Sequence, residues 1–412
     1  MHILFITDNF PPEVNAPASR TYEHCSEWVK AGHRVTVITG APNFPRGEIF
    51  AGYRNKIWQT ELMSGIRVIR VWTYITANEG VIKRALDYVS FMLSSCVAAL
   101  LVRRVELVVG TSPQFFTVCA ACVIGTLKRV PWVFELRDMW PDSIKAVGAL
   151  KKSYALKVLE KIELFLYRNA NLIVALTHAF KASLVDRGIS SGKIHVVTNG
   201  VDTERFYPRE KDVELQNQLG LRGKFVVGYI GTHGLAHNLD TVLNGAKLLD
   251  RLPGGSRFRI ILLGDGAMKS SLQRRARIEG IENVVFLDAV SKEQVARYWA
   301  LLDASIIHLK NEPLFETVIP SKLFECMGMG IPVLHGVKGE SAHIVDREGV
   351  GIVFEPENPE DFVHSLRRLA DNPRLIARLK ANGPVAARRF DRATLAMQML
   401  TLLETLGDKS AL

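Results

Sequence analysis

Residues 225–241 read FVVGYIGTHGLAHNLDT, a continuous apolar run that passes directly into a loop rich in glycine. Continuous apolar strands that alternate with segments long enough for helices are typical of a parallel sheet covered on both faces. The pattern recurs along the chain in HILFIT, HRVTVITG, IRVIRVW, ELVVGTS, PWVFEL, NLIVALT, KIHVVTNG, FRIILLGDG, NVVFLDAV, DASIIHL, IPVLHG and GIVFEP. The sequence therefore predicts an α/β protein.

The pattern stops once, in the polar stretch 199–224, which has no strand signal and is interpreted as a linker followed by a surface helix. A chain of 412 residues is also too long for one ordinary core. We predict two doubly wound, Rossmann-like domains, 1–203 and 204–390, with a last helix near 393–406 that packs back on the first. Ligands of such sheets bind at the carboxyl ends of strands, so the cleft between the domains is the expected active site.

The charge of the chain is positive and unevenly distributed. Residues 1–203 carry 24 Lys and Arg against 16 Asp and Glu, whereas residues 204–412 carry 28 against 26. A basic half favours an anionic partner. Because no helix-turn-helix, zinc-finger or RNP motif is present, we expect no nucleic acid, and instead an anionic membrane surface or a phosphate-bearing substrate.

The compartment is predicted to be reducing, and no secretory signal is apparent at the start of the sequence. The five cysteines have no framework spacing, and the CAAC at 119–122 lies in an apolar run typical of buried core thiols. The uncharged apolar run 88–102 is short for a membrane span. Lys83, Arg84, Arg103 and Arg104 flank it, so a membrane-dipping helix and a buried core helix both stay open.

The stretch 311–336, NEPLFETVIPSKLFECMGMGIPVLHG, contains an electrostatic conflict. Pro320 and Ser321 indicate a helix start, and Gly328 and Gly330 indicate an early end. Lys322 then lies in the first turn, where the helix dipole disfavours a cation. An anion bound at that helix end would resolve the conflict, and a solvated lysine beside a core helix is the alternative.

Each of the other loops at strand ends, taken singly, is only weak evidence for a functional site. Asp138 beside Arg137 suits a structural ion pair, and His233 and His237 suit helix capping. In combination, the markers PPEVNAPASR (11–20), RDMWPDS (137–143), TNGVD (198–202), GTHGLAHNLD (231–240), LGDGAMKSSL (263–272) and VIPSKLFECMGMGIPVL (318–334) are informative. With them the chain resembles the retaining glycosyltransferases of the GT-B fold, family 4, over essentially its whole length.

Within that family the chain is most similar to bacterial enzymes of O-antigen and capsule synthesis, including the fucosaminyltransferase-like group. The resemblance implies a UDP-linked sugar donor, such as one of N-acetylfucosamine, and a polyprenyl-diphosphate-linked saccharide acceptor. It also implies a cytoplasmic enzyme that is peripheral on the inner face of the cell membrane, with no cofactor beyond the nucleotide sugar.

The resemblance assigns Glu325 to the ribose hydroxyls of the nucleotide. Many relatives carry a second glutamate eight residues earlier, where this chain has Thr317, with Glu316 one position away. That glutamate contacts the donor sugar in the family. Either Glu316 reaches in from a shifted loop, or Thr317 and backbone groups suffice.

The family's diphosphate-binding Arg and Lys are replaced here by Thr232 and Asn238, with His233 and His237 nearby. Lys322 and the amides of residues 321–323 are therefore expected to hold the leaving diphosphate, and an imidazolium in the 231–240 loop is the competing hypothesis. The remaining predicted donor-binding residues are Gly231, Gly264, Gly266, Leu287, Ser321 and Leu323.

On the acceptor side, relatives commonly have a histidine where this chain has Arg137. Asp138 is the candidate for orienting the acceptor hydroxyl or relieving its proton. Glu13 and Asn15 are acceptor-side candidates by position. No Asp-x-Asp pair occurs in the sequence, which favours a metal-independent reaction.

Two other functions stay open. A nucleotide-sugar epimerase of GT-B fold would turn over the nucleotide sugar without an acceptor. A non-catalytic protein that docks on membranes through its basic half would show no nucleotide affinity.

Overall fold

The computed structural model describes residues 1–44, 47–76, 81–139 and 154–407. The chain forms two compact units, Met1–Thr198 with Arg392–Leu412, and Asn199–Asp391. The first boundary lies a little before the predicted one at 203/204. Each unit contains one predominantly parallel sheet with helices on both faces, so the predicted α/β class with two Rossmann-like sheets is confirmed.

The first unit contains an eight-stranded sheet in the order β3-β4-β2-β1-β5-β6-β7-β8. Its strands are β1 His2–Ile6, β2 Arg34–Thr39, β3 Trp58–Met63, β4 Ile66–Val71, β5 Leu107–Thr111, β6 Trp132–Leu136, β7 Leu172–Ala175 and β8 Ile194–Val196. All neighbouring strands are parallel except β3 and β4. β1, β5, β6 and β7 are buried along their full length, as expected for central strands covered on both faces.

The antiparallel edge strand β3 was absent from the sequence prediction. It joins β4 through Ser64 and Gly65, both of which have positive φ. Two-residue hairpin turns require this backbone conformation, and Gly65 adopts it without steric cost. β3 alternates half-buried and exposed residues, which distinguishes it from the continuous apolar runs of the other strands.

The helices of the first unit are α1 Ala16–Lys30, α2 Val81–Leu101, α3 Phe115–Lys128, α4 Tyr154–Asn169, α5 His178–Asp186 and α14 Arg392–Gly407. Asn15 caps α1 by accepting from the Ala18 amide at 2.9 Å. α14 packs on α1, because Trp28 donates to the Ala396 carbonyl at 2.8 Å and Arg392 pairs with Glu23. The C-terminal helix is therefore part of the first unit's core.

The helix α2 is not a buried core helix. Leu93, Val97 and Leu101 are each more than half exposed along one of its faces. By length and composition alone, the stretch Lys83–Leu101 is apolar enough to cross a membrane, and only 22% of it is buried. Of the two sequence-based alternatives, the fully buried helix is therefore wrong.

The second unit has six parallel strands in the order β11-β10-β9-β12-β13-β14. They are β9 Phe225–Ile230, β10 Phe258–Leu263, β11 Val284–Leu287, β12 Ala304–His308, β13 Val333–Gly336 and β14 Gly351–Val353. The helices are α6 Val213–Gln218, α7 Asp240–Arg251, α8 Lys269–Ile278, α9 Lys292–Trp299, α10 Lys322–Met329, α11 Glu340–Glu348, α12 Pro359–Ala370 and α13 Pro373–Ala387.

The core of the second unit lies on both faces of this sheet. On β9, Val226 and Ile230 belong to one buried apolar cluster, and Val227 and Tyr229 belong to the other. This alternation follows from the two-residue period of a strand. It places Tyr229 near the carboxyl end of β9, next to the glycine-rich loop.

Candidate active site

The loops that follow β9 and β10 lie side by side, because these strands are neighbours in the second sheet. Three backbone hydrogen bonds connect them. Gly231 donates to Leu263 at 2.9 Å, His233 donates to Asp265 at 2.8 Å, and the Met268 amide donates to His233 at 2.9 Å. The predicted donor-site loops 231–240 and 263–272 therefore form one continuous surface at the carboxyl ends of the strands.

Glycine is required at two points of this surface. A Cβ on Gly264 would collide with the Gly231 carbonyl, and a Cβ on Gly266 would come within 2.7 Å of the His233 carbonyl oxygen. Both glycines also have φ near +150°, in the region that disfavours side chains. Gly264 donates to the carbonyl of Leu287, which brings the end of β11 to the same site.

Lys269 joins these loops through hydrogen bonds and an ion pair. The sequence analysis did not predict this role. Its ammonium donates to the carbonyls of Gly264 at 2.9 Å and Leu287 at 3.2 Å, and it pairs with Asp288 at 2.5 Å. The signal that identifies it is its position, three residues after the Gly-Asp-Gly turn and at the start of α8.

Lys322 is the first residue of α10, and its ammonium nitrogen is buried. The nitrogen lies 3.5 Å from the centre of the Tyr229 ring. It has no hydrogen-bond partner among the residues that the structure describes. The alternative of a solvated lysine is therefore wrong, and burial lowers the pKa of Lys322 to about 7.

The two loop histidines are uncharged at neutral pH. Burial, reinforced by Lys269 and Lys322, lowers the pKa of His233 to about 4. Burial and Lys322 lower that of His237 to about 3. Both ring nitrogens of His233 are buried and unpartnered within the described part of the chain. Without a bound anion, the imidazolium that the competing hypothesis requires is therefore disfavoured.

The start of α10 differs in detail from the prediction. Ser321 precedes the helix but makes no side-chain cap. The Leu323 amide donates to the Pro320 carbonyl at 3.0 Å, and the Leu323 side chain is fully buried. The amides of residues 321–323 are thus not all free, and Leu323 does not present its side chain to a ligand. Glu325 is half-buried in the same first turn.

The two candidates for contacting the donor sugar, Glu316 and Thr317, lie on a short 3₁₀ helix, Pro313–Thr317. Glu316 is exposed, and the Thr317 hydroxyl donates to the Leu314 carbonyl at 2.7 Å. In the 231–240 loop, Thr232 is exposed and Asn238 adopts a left-handed conformation with its amide on Glu357. Of these predicted donor residues, Asn238 and Thr317 already have intramolecular partners.

The predicted acceptor residues lie at the carboxyl ends of β1 and β6 in the first unit. Glu13 is buried, and one of its oxygens accepts from the Asn43 and Phe44 amides at 2.8 and 2.9 Å. Its other oxygen is buried without a hydrogen-bond partner in the described residues. Asn15 caps α1. Both residues therefore shape the loop after β1.

Arg137 and Asp138 follow β6, and both of their amides approach the Ser112 hydroxyl, at 2.8 and 3.4 Å. The Arg137 guanidinium reaches the Pro17 carbonyl at 3.3 Å. Asp8, which sequence reasoning passed over, is half-buried, and burial raises its pKa while the charge of Arg137 opposes that shift. The rest of the RDMWPDS marker, residues 140–143, lies outside the described residues.

A buried ion pair links α1 to β6, the strand that precedes Arg137 and Asp138. The sequence analysis did not predict this pair. Arg20 of α1 contacts Glu135 of β6 at 2.9 Å, and both side chains are almost fully buried. Arg20 also donates to the carbonyls of Thr198 and Val197, at 2.7 and 3.1 Å. Breaking one half of such a pair is costly, so it fixes α1 against the sheet.

Metal-ligand clusters of three or more His, Cys, Asp or Glu side chains do not occur within 1–44, 47–76, 81–139 and 154–407. Cys119 and Cys122 are half-buried rather than fully buried thiols on α3. Burial raises the pKa of Cys119 to about 12, which disfavours the thiolate that redox or zinc chemistry needs.

Comparisons with known proteins agree with this arrangement. Residues 15–200 match the family described as glycosyl transferase 4-like domain, and residues 212–385 match the glycosyl transferases group 1 family. One relative is the putative colanic acid biosynthesis glycosyl transferase WcaI of Escherichia coli (strain K12), 24% identical over 89% of this chain and 92% of the relative. Another is a GDP-mannose-dependent alpha-mannosyltransferase of Mycobacterium tuberculosis, 23% identical over 88% of each chain.

Solved structures show the same fold. Anabaena HepE in complex with UDP and glucose has a TM-score of 0.73 at 17% identity, over 98% of this chain and 99% of that chain. Sucrose-phosphate synthase of Thermosynechococcus elongatus has a TM-score of 0.75 at 16% identity, over 98% of each chain. Because the two family matches together span most of the chain, this protein is a glycosyltransferase of GT-B fold that belongs to the glycosyl transferase 4-like and group 1 families.

Proposed function

We propose that the protein transfers a sugar, with retention of anomeric configuration, from a UDP-linked donor to a polyprenyl-diphosphate-linked saccharide. The observation that carries this proposal is the side-chain nitrogen of Lys322, which is buried beside the glycine loops and has no hydrogen-bond partner among the described residues. A bound diphosphate would supply the negative charge and the hydrogen-bond acceptor oxygens that are missing around the Lys322 nitrogen.

The donor is assigned to the second unit. Glu325 would accept the ribose hydroxyls, and the glycine loops would admit the diphosphate close to the backbone. As the donor bond breaks, negative charge grows on the leaving diphosphate. Lys322 would stabilise that charge, which is the largest contribution that such a site makes to a reaction. Lys322 would thus serve where other enzymes place a divalent cation.

The acceptor is assigned to the first unit, at the loops after β1 and β6. Asp138 would orient the attacking hydroxyl or relieve its proton. Arg137, Glu13 and Asn15 would shape the acceptor-binding surface. Glu316 or Thr317 would contact the transferred sugar from the 3₁₀ helix before α10.

The biological setting is assigned from similarity. The relatives include a putative colanic acid enzyme, a probable glycosyltransferase WbjE of Pseudomonas aeruginosa and D-rhamnosyltransferase WbpZ of the same species. We assign this chain to O-antigen, capsule or lipopolysaccharide synthesis, with a donor sugar such as N-acetylfucosamine. The lipid-linked acceptor favours a peripheral position on the cytoplasmic face of the membrane, with the exposed face of α2 toward the lipid.

The test is a turnover assay with UDP-sugars, in the presence and absence of lipid-linked saccharides from a bacterial membrane extract. Acceptor-dependent release of UDP, with an α-linked product from an α-linked donor, is expected, and activity is expected to survive EDTA. Turnover without any acceptor would instead favour the epimerase. Loss of activity on chelation, restored by Mg²⁺, would overturn the metal-independent mechanism.

A further inference from the structure

The ring of Tyr229 lies directly under the Lys322 ammonium. Tyr229 is fully buried in β9, and its ring centre is 3.5 Å from Nζ. Its hydroxyl donates to the Thr232 carbonyl at 2.8 Å. One side chain thus contacts the lysine through its face and the glycine loop through its edge. A cation over an aromatic face is attracted to it, and most strongly where water is excluded.

Gly231 also lies close to the Lys322 nitrogen. A Cβ on Gly231 would come 2.9 Å from Nζ, so any larger residue there would displace the lysine. An ammonium has three N–H donors, and none of them has a hydrogen-bond partner in the described chain. Burying a charge without partners is unfavourable, which favours the neutral amine in the empty site.

The ionisable groups around Lys322 do not cancel the effect of burial on its pKa. Glu325 and Cys326, on its own helix, favour the charged form. His233 and His237, on the loop after β9, are neutral neighbours. Tyr229 contributes its ring face and keeps its proton, because burial raises its pKa. The net result is the lowered pKa of Lys322, to about 7.

We infer that Tyr229 positions Lys322 for a nucleoside diphosphate, and that binding of this anion transfers one proton from solvent to the Lys322 amine. The inference rests on the proposed function, because it uses the same donor site. The amine gains a proton, the buffer loses one, and no covalent bond of the nucleotide changes. Tyr229 acts through Lys322 and is a positioning residue.

The experiment is isothermal titration calorimetry of UDP at pH 8, in two buffers with different ionisation enthalpies. In the wild type, Lys322 is mostly neutral at that pH, so nearly one proton should be taken up on binding. At pH 6 the uptake at Lys322 should approach zero. Lys322→Met is the matched control, since it keeps the apolar stem and removes the titrating group. Protons released by UDP itself cancel in the difference between wild type and variant.

Two further variants separate positioning from folding. Tyr229→Phe keeps the ring and should keep the proton uptake. Tyr229→Leu removes the ring, and should bind UDP about 2- to 30-fold more weakly than Tyr229→Phe, the range expected for loss of a cation–π contact. UDP binding without uptake in the wild type, or equal affinity of the two tyrosine variants, would overturn the inference alone. Absence of any UDP binding would overturn both the inference and the proposed function.

Discussion

The Lys322 ammonium and the Tyr229 ring meet although the two residues are far apart in the sequence. If Lys322 stabilises the departing diphosphate, its interaction strengthens toward the transition state. Lys322→Ala should then lower kcat more than it raises the donor KM, by about 10²- to 10³-fold in rate. Steady-state kinetics with a saturating acceptor measure this difference.

Lys322→Arg should restore only part of the activity, because a planar guanidinium does not reproduce the compact ammonium that lies against the Tyr229 ring. Lys338→Ala is the control, since Lys338 is a partly exposed lysine of the same unit that pairs with Glu355. Near-wild-type kinetics of Lys322→Ala would remove Lys322 from the mechanism.

Glu325 carries the second residue-scale prediction. If it accepts the ribose hydroxyls, Glu325→Ala should weaken UDP binding by about 1–3 kcal/mol, the usual effect of losing a charge-assisted hydrogen bond. Equilibrium titration of UDP measures this effect. Glu360→Ala, at an exposed glutamate of the same unit, is the matched control. Equal UDP affinity in the two variants would contradict the assignment.

At the scale of elements, α2 presents the exposed apolar face of the first unit. Leu86, Leu93, Val97 and Leu100 are all more than half exposed on it. The basic residues Arg103 and Arg104 follow immediately and are also exposed. Such a face suits reversible binding to an anionic membrane, where each basic side chain near the surface contributes about 1 kcal/mol.

We therefore expect the double variant Leu93→Asp, Val97→Asp to lose sedimentation with anionic vesicles and to keep its fold, since both side chains are exposed. Ile278→Asp is the control, because Ile278 is 77% exposed on α8 of the second unit. Charge reversal at Arg103 and Arg104 should weaken binding to anionic vesicles only. Equal sedimentation of wild type and double variant would contradict the membrane role of α2.

The elements also show what sequence patterns predict well. Strands such as β1 and β9 were identified because both of their faces are buried, which produces an unbroken apolar run. The edge strand β3 was missed because its residues alternate, and only the Ser64-Gly65 turn marks it. The start of α10 was placed correctly, but the Leu323 amide bond to Pro320 depends on a backbone turn that residue types do not specify.

The partners of the site residues were harder to predict. Gly231, Gly264 and Gly266 could be predicted because a glycine directly after a strand indicates a turn with positive φ or a close approach of the backbone. The Lys322–Tyr229 contact, the bonds from Lys269 to Leu287 and Asp288, and the Arg20–Glu135 pair each join parts of the chain that are well separated in sequence. They follow from which strands become neighbours, and no local pattern encodes that order.

For the whole molecule, the buried neutral histidines predict a loss of stability in acid. His233 and His335 are both fully buried, and burial lowers their pKa to about 4 and about 3. An unfolded histidine titrates near 6.5, so between these values the unfolded state binds more protons and stability falls as pH falls. At pH 5 each histidine should cost about 2 kcal/mol relative to pH 7.

Urea unfolding at pH 5 and pH 7 measures this effect. The carboxyl of Asp87 acts in the opposite direction, because burial and Asp8 raise its pKa to about 7. The variant His335→Gln therefore isolates the histidine contribution: its stability should change less between the two pH values than that of the wild type. An identical change in both proteins would show that His335 does not couple folding to pH.

The proposed nucleotide-sugar site in the second unit is tested most directly by a thermal-shift panel of UDP, GDP, ADP and dTDP. A ligand that binds only the folded protein at 100 times its Kd stabilises it by about 2.7 kcal/mol. We expect a saturable rise in Tm that is largest with UDP and is reduced in both Glu325→Ala and Lys322→Met. No shift with any nucleotide, or a shift that both variants leave unchanged, would contradict it.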